Sequence, residues 1–169
     1  MRAMNNSQHN QSIGAILTLE QAIKARMGIH TLVFTNGHFD LLHVGHLDYL
    51  EKARALGDAL FVGINGDDAS EALKGEGRPL VPAAERARLI AALRPVDAVI
   101  IFNDLTADHL IRTLKPEIYV KGGDYRIKPL PERTTVEQVG GRVELIDLLP
   151  GHSTTALIAR IRALSERRE

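Results

Sequence analysis

Leu32-Val33-Phe34-Thr35-Asn36-Gly37-His38-Phe39-Asp40-Leu41-Leu42-His43-Val44-Gly45-His46 reads as a strand, a tight turn and the first turn of a helix. The strand, 32–34, is short and apolar on both faces. The helix runs towards Gly57 with Leu47, Leu50 and Ala53 on one side. A helix's first N–H groups have no partner inside the helix and lie at the positive end of its dipole, so an anion is stabilised there before any side chain contributes. Two imidazoles three residues apart can donate to the same phosphate. Gly45, between them, has no side chain to hold that phosphate off the backbone.

Outward from this stretch the chain alternates. Apolar runs at 59–64, 98–102, 118–120 and 143–149 read as four more strands. Pro82 suits a first helical residue ahead of Leu89, Ile90 and Leu93, with Pro95 past the end. Thr106 can cap Leu110, Ile111 and Leu114, and Ser153 can cap Leu157, Ile158, Ile161 and Leu164. Upstream, Thr18 and Gln21 form a capping box before Leu19, Ala22, Ile23 and Met27, with Gly28 as the stop. Short strands apolar on both faces, separated by helices, predict a doubly wound, Rossmann-like α/β fold: a five-stranded parallel sheet with helices on both faces. Its ligand belongs beyond the carboxyl ends of the strands. We expect a mobile, polar N-terminal segment over 1–16 and a single domain over 17–169.

Composition narrows the class. The 169 residues are 44% hydrophobic and 25% charged, ordinary for a soluble globular protein. Lys plus Arg and Asp plus Glu are both 21, so no net field draws in nucleic acid or an anionic membrane. There is no cysteine, which excludes disulfide and thiolate chemistry. No apolar run approaches a bilayer's thickness and the N-terminus lacks a signal peptide's apolar segment, so a cytoplasmic protein is expected.

The loops after the strands carry the chemistry. Asn65-Gly66-Asp67-Asp68 follows the second, leading to Lys74-Gly75-Glu76-Gly77-Arg78-Pro79, a glycine-rich stretch with two cations. Lys121-Gly122-Gly123-Asp124-Tyr125 follows the fourth and Gly151-His152-Ser153-Thr154-Thr155 the fifth. Glycine combined with cationic, imidazole or hydroxyl donors suits several phosphates better than a neutral ligand. No G-x-G-x-x-G follows the first strand, which argues against a nicotinamide dehydrogenase, and no G-x-x-x-x-G-K-[ST] occurs, which argues against a P-loop kinase. His43 and His46 lack the spacing and glutamate of a zinc helix, so no metal is assigned to protein side chains.

H-x-G-H after the first strand, joined to the Ser153-Thr154 pair opening a late helix, resembles the cytidylyltransferase-like nucleotidyltransferase superfamily. Over roughly 29–163 the chain is most similar to the nucleotidyltransferase domain of bacterial ADP-heptose synthases. That similarity rests on Thr35-Asn36-Gly37, Phe39-Asp40-Leu41-Leu42-His43, Leu73-Lys74-Gly75, Gly77-Arg78-Pro79, Lys121-Gly122-Gly123-Asp124-Tyr125 and Gly151 with Ser153-Thr154-Thr155. Glycerol-3-phosphate cytidylyltransferases carry an arginine where this chain has Leu148 and a tryptophan loop where it has Tyr125. The chain departs from the heptose pattern at His38, usually Cys, and His152, commonly Tyr.

The resemblance implies transfer of AMP from ATP to a sugar 1-phosphate, heptose 1-phosphate first among them, with release of pyrophosphate. The ADP-sugar would be a lipopolysaccharide precursor. The acceptor's phosphate oxygen is already anionic, so catalysis reduces to positioning and charge stabilisation. His43 and His46 would stabilise charge at the α-phosphate, and Lys74 and Arg86 would neutralise the acceptor phosphate or the leaving pyrophosphate. Thr35, Asn36, Gly37, Phe39, Asp40, Gly45, Lys121, Gly122, Asp124, Gly151, Ser153, Thr154 and Thr155 would form the nucleotide site, with Ser153 and Thr154 on the β- and γ-phosphates. Asn65, Asp67, Arg78 and Tyr125 would face the acceptor. Mg²⁺ bridging the triphosphate is expected. A separate sugar kinase would supply the acceptor, and a homodimer or larger assembly is expected.

Each residue also has a plainer reading. Asp40 can cap the following turn, Lys121 to Asp124 can be a tight turn, and Lys74, Arg78 and Arg86 can be solvated charges. Tyr125 can pack at the edge of the core. His38 and His152 flank the proposed site, while His9, His30 and His109 read as surface residues. Two alternative functions stand beside the first: cytidylyl transfer to glycerol 3-phosphate or another polyol phosphate, and a nucleotide-binding regulatory module without turnover.

Overall fold

A computed structural model describes residues 14–165. Six strands, β1 (Ala15–Ile16), β2 (Leu32–Gly37), β3 (Ala59–Asn65), β4 (Ala98–Phe102), β5 (Ile118–Gly122) and β6 (Arg142–Ile146), form one sheet in the order β1-β4-β3-β2-β5-β6. Every pairing is parallel. The sheet therefore has six strands rather than the five expected. The addition is β1, two exposed residues that pair with Ala98 and Val99 at the sheet's edge. It lies inside the segment expected to be mobile, of which residues 1–13 are outside the described residues.

Among the described residues seven α-helices flank the sheet: α1 (Leu19–Arg26), α2 (Val44–Arg54), α3 (Asp67–Lys74), α4 (Ala83–Ala91), α5 (Asp108–Leu114), α6 (Arg133–Gln138) and α7 (Thr154–Ser165). The period of two along each strand sends alternate side chains to opposite faces. On one face Val33, Leu60, Val62 and Val120 pack against Tyr49 and Leu50 of α2 and Ile90 of α4. On the other Leu32, Phe34, Phe61 and Ile100 pack against Ala22 of α1, Leu110 and Leu114 of α5 and Val136 of α6. This double burial is why the strands carry no polar face.

The local signals act largely as read. Thr18 Oγ1 accepts the Gln21 N–H (3.2 Å) and Gln21 Oε1 accepts the Thr18 N–H (2.9 Å), completing the capping box. Ser153 Oγ accepts the Ala156 N–H (3.1 Å) at the start of α7. Pro82 stands one position earlier than expected, as the N-cap of α4. Thr106 does not cap α5; its hydroxyl donates to Asp108 Oδ2 (2.6 Å) and Ala107 holds the cap position. The stretch after β3, read as loop, contains α3, and α6 was not anticipated. Among the described residues no helix is long and apolar enough to cross a membrane.

Candidate active site

From β2 the chain steps outward to β3 and β4, then returns to place β5 on the other side of β2. The crossovers diverge at that point and leave a crevice beyond the carboxyl ends of β2 and β5. A cleft of about 550 Å³ opens there, lined by the turn after β2, the N-termini of α2 and α7, and the segment after β5. A smaller cavity of about 250 Å³ shares His38, Phe39, His46, Lys74 and Thr154 with it and extends to Ser70, Arg78 and Thr155.

His43 is the N-cap of α2 and His46 lies in its first turn. Their rings stack with centroids 3.8 Å apart and planes 19° from parallel, and Phe39 lies 5.3 Å from the His46 ring. The His43 backbone N–H donates to His46 Nδ1 (3.4 Å), which makes Nδ1 an acceptor and leaves the hydrogen on Nε2. Burial, then the neighbouring His43, pushes the His46 pKa down to about 4. Burial, then His152, lowers that of His43. Both rings are therefore neutral donors at pH 7. His43 Nδ1 is buried without a hydrogen-bond partner among the described residues. A Cβ at Gly45 would stand 3.0 Å from His43 Cε1, His43 Nδ1 and His152 Cβ, so glycine is what lets the stacked pair approach the helix.

Cations border the cleft. Lys74, in the last turn of α3, reaches both cavities. Lys121, 7% exposed, donates to the Asn36 carbonyl (3.2 Å) and lies over the Tyr119 and Tyr125 rings. Burial brings its pKa down to about 8. Asn36, Gly37, Gly122, Asp124, Tyr125 and Asn65 line the main cleft with them. Ser153 and Thr154 bring the α7 N-terminus to the same cleft, and Thr155 borders the smaller cavity. Asp40 borders that cavity too, but its carboxylate is engaged. It accepts Arg78 Nη1 (2.7 Å) and the Leu80 and Val81 N–H groups (2.9 Å each), fastening the 78–81 loop to the turn after β2.

Four expectations need correction. Arg86 does not face the cleft: it is fully buried, and its guanidinium donates to the carbonyls of Val81, His38 and Asn65 and to Asp67 Oδ1. A fully buried guanidinium with four of its five N–H donors spent on these acceptors positions the loops and does not reach a phosphate in the cleft. Asp67 serves the same anchor and also accepts the Ala83 N–H (2.8 Å), so it too is a support rather than a wall of the site. Thr35 is buried in the sheet, its hydroxyl bonded to Tyr49 Oη (2.7 Å) and donating to the Val120 carbonyl (2.9 Å). Gly151, with φ +77°, shapes the turn into α7 without lining either cavity.

The walls include residues that motif reading did not assign. Leu105, Thr106, Pro131, Glu132 and Leu148 also line the cleft. Glu132 is 5% exposed and accepts the Ala107 N–H (3.2 Å). Nothing in the one-dimensional pattern brings 105–106 to 131–132; they meet because α5 and α6 pack together on one face of the sheet. His38 and His152 both line the cleft.

Comparison with known proteins agrees with this geometry. The "Bifunctional protein HldE" of Syntrophotalea carbinolica is 55% identical over 131 residues, covering 78% of this chain and 27% of that protein. The protein of the same name from Geotalea uraniireducens is 49% identical over 152 residues, covering 90% of this chain and 31% of the relative. The chain thus spans about a third of the length of the curated relatives it matches. The crystal structure of a lipopolysaccharide core biosynthesis protein from Thermoplasma volcanium superposes with a TM-score of 0.58 at 28% identity, covering 70% of this chain and 96% of that one. Pantothenate synthetase from Thermus thermophilus, at 14% identity and a TM-score of 0.56 over 88% of this chain and 71% of its own, shares the fold. The cytidylyltransferase-like family model matches residues 34–160, and the chain belongs to that family.

Proposed function

We propose that this chain transfers AMP from ATP to a sugar 1-phosphate, heptose 1-phosphate being the foremost candidate, and releases pyrophosphate. An oxygen of the sugar phosphate forms a bond to the α-phosphorus, and the bond from that phosphorus to the oxygen bridging to the β-phosphate breaks. The electron pair leaves with pyrophosphate. The nucleophile is an anion, so the site has no need of a strong base. It must instead hold two polyanions together and absorb the charge that builds on the α-phosphate.

The observation that carries the reading is the stacked, neutral His43–His46 pair at the α2 N-terminus, beside the switch point of the sheet. His46 Nε2–H and the first-turn N–H groups of α2 are preorganised donors for the α-phosphate oxygens. The α7 N-terminus with Ser153 and Thr154 suits the β- and γ-phosphates, and Lys74 and Lys121 supply positive charge across the cleft. Leu105, Tyr125, Pro131 and Leu148 give the apolar wall a base or sugar face would need. Support for the adenylyl and heptose assignment comes from relatives about half identical over most of this chain.

Among the described residues no group of three His, Asp or Glu side chains could hold a metal ion. The Ser153, Thr154 and Lys74 side chains and the first-turn N–H groups of α7 suit phosphate oxygens better than a cation. Magnesium would therefore travel on the nucleotide's own oxygens, and no step above depends on a protein ligand for it. A separate kinase-type reaction would supply the sugar phosphate.

His46→Ala tests the proposal. Loss of one preorganised donor lowers turnover about 100- to 1,000-fold, read as pyrophosphate release with ATP and a panel of sugar 1-phosphates. Near-normal turnover by a folded variant overturns the mechanism. Running the panel with CTP and glycerol 3-phosphate separates the cytidylyl alternative.

A further inference from the structure

His38 stands where the two cavities meet and is held by a relay that fixes which of its nitrogens carries the hydrogen. Its Nδ1 lies 2.9 Å from Ser70 Oγ. Ser70 Oγ also contacts the Asn65 carbonyl at 3.2 Å, and a carbonyl can only accept. The single hydroxyl hydrogen is thereby committed to Asn65, so Ser70 must accept from His38. Nδ1 carries the hydrogen and Nε2 presents a bare lone pair. Among the described residues Nε2 has no partner, and it is not one of the buried unpaired atoms, so it opens on the cleft.

The frame around the ring is rigid. Arg86 donates to the carbonyls of His38 (2.5 Å) and Asn65 (2.9 Å), locking the backbone at both ends of the relay. Burial, then the charges of Lys74, Arg86 and Lys121, pushes the His38 pKa down to about 4, so the lone pair stays unprotonated at neutral pH. His46, which lines the same two cavities, has the opposite tautomer. One imidazole is a donor and the other an acceptor.

An unprotonated lone pair repels a phosphate oxygen and requires a hydrogen-bond donor. From this geometry we propose that His38 Nε2 accepts a hydrogen bond from a hydroxyl of the acceptor sugar beside its phosphate, making His38 a specificity-determining residue with Ser70 as its positioning residue. The inference rests on the proposed nucleotidyl transfer and adds to it a requirement for a particular sugar hydroxyl. A site built to bond a hydroxyl discriminates strongly against an analogue without one, because its own polar group is left unpaired.

Two measurements test it. In 15N-histidine NMR of the wild-type protein without substrates, His38 is expected to show a protonated Nδ1 and a pyridine-like Nε2, and Ser70→Ala is expected to abolish that preference. A protonated Nε2 overturns the proposal whatever the protein's activity. In kinetics, the wild type is expected to lose at least about tenfold in kcat/KM when the sugar 1-phosphate lacks the hydroxyl next to the phosphate-bearing carbon. His38→Phe, which keeps a ring and removes the lone pair, is expected to lose that discrimination. Equal discrimination by wild type and His38→Phe overturns the proposal. A loss seen only with deoxyribose forms of ATP assigns the hydroxyl to the nucleotide and overturns the sugar assignment. Absence of pyrophosphate release with every pair, despite the expected tautomer, instead overturns the underlying transfer reaction and with it the sugar assignment.

Discussion

Replacing Arg86 by Met separates a supporting role from a catalytic one. The methionine keeps much of the side-chain volume and removes all the donors. Asn65 keeps the Ser70 hydroxyl, and Asp67 keeps the Ala83 N–H and is half exposed, so both are partly compensated. The carbonyls of Val81 and His38 lose the guanidinium donors at 2.7 and 2.5 Å. Each stranded carbonyl costs about 1–3 kcal/mol, so the variant should lose about 4 kcal/mol, a large part of a typical domain's 5–15 kcal/mol or so. At about 2–4 °C per kcal/mol for a chain of this size, the melting midpoint should fall by roughly 10 °C. Arg86→Lys should fall between the two, since one ammonium cannot serve so many divergent acceptors. The assay pairs a thermal melt by circular dichroism with pyrophosphate release measured well below both midpoints. A midpoint unchanged within about 2 °C, with kcat/KM down 100-fold or more, would refute the reasoning and return Arg86 to the phosphates.

Stability should also depend on pH through the buried imidazoles. His38 and His46 fall to about 4 in the folded state, with burial the first cause for each, from an ordinary 6.5. Between those values the unfolded chain binds more protons, so the stabilisation is present above pH 6.5 and is lost as the pH falls towards 4. The urea midpoint should drop across that window, and a flat profile would contradict the assigned burial. Gly45→Ala places a methyl 3.0 Å from the His43 ring and His152 Cβ. A shift of a few tenths of an ångström in the stacked pair should lower turnover about tenfold or more with a melting midpoint close to wild type; unchanged turnover would show that the stack is not under geometric control.

The strands were legible because a parallel sheet covered on both sides leaves no polar face, and an apolar run bounded by glycine or proline reads directly. The helix starts at Ser153 and Thr18 were legible for the same local reason: a hydroxyl one residue before an amphipathic stretch has few other uses. β1 was not, since two exposed residues carry no periodicity and owe their pairing to the free edge of β4. The short α3, with only Ala69 and Ser70 buried, likewise offers no apolar stripe to recognise.

In the candidate site, the sequence by itself determined the H-x-G-H turn, the Ser-Thr helix start and the loops that would meet phosphates, because each is a local arrangement of backbone and neighbouring side chains. Which polar residues point outward was decided only by tertiary structure. Thr35, Asp67 and Arg86 carry the residue types of an active site, yet they are held by partners distant in the chain, at Val120, Ala83, His38 and Asn65. The tautomer of His38 follows from Ser70, a contact that exists only once α3 is docked beside the turn after β2, whereas that of His46 follows from a backbone N–H three residues away. A charge or lone pair takes its role from what surrounds it in space, and residue spacing along a chain does not carry that information.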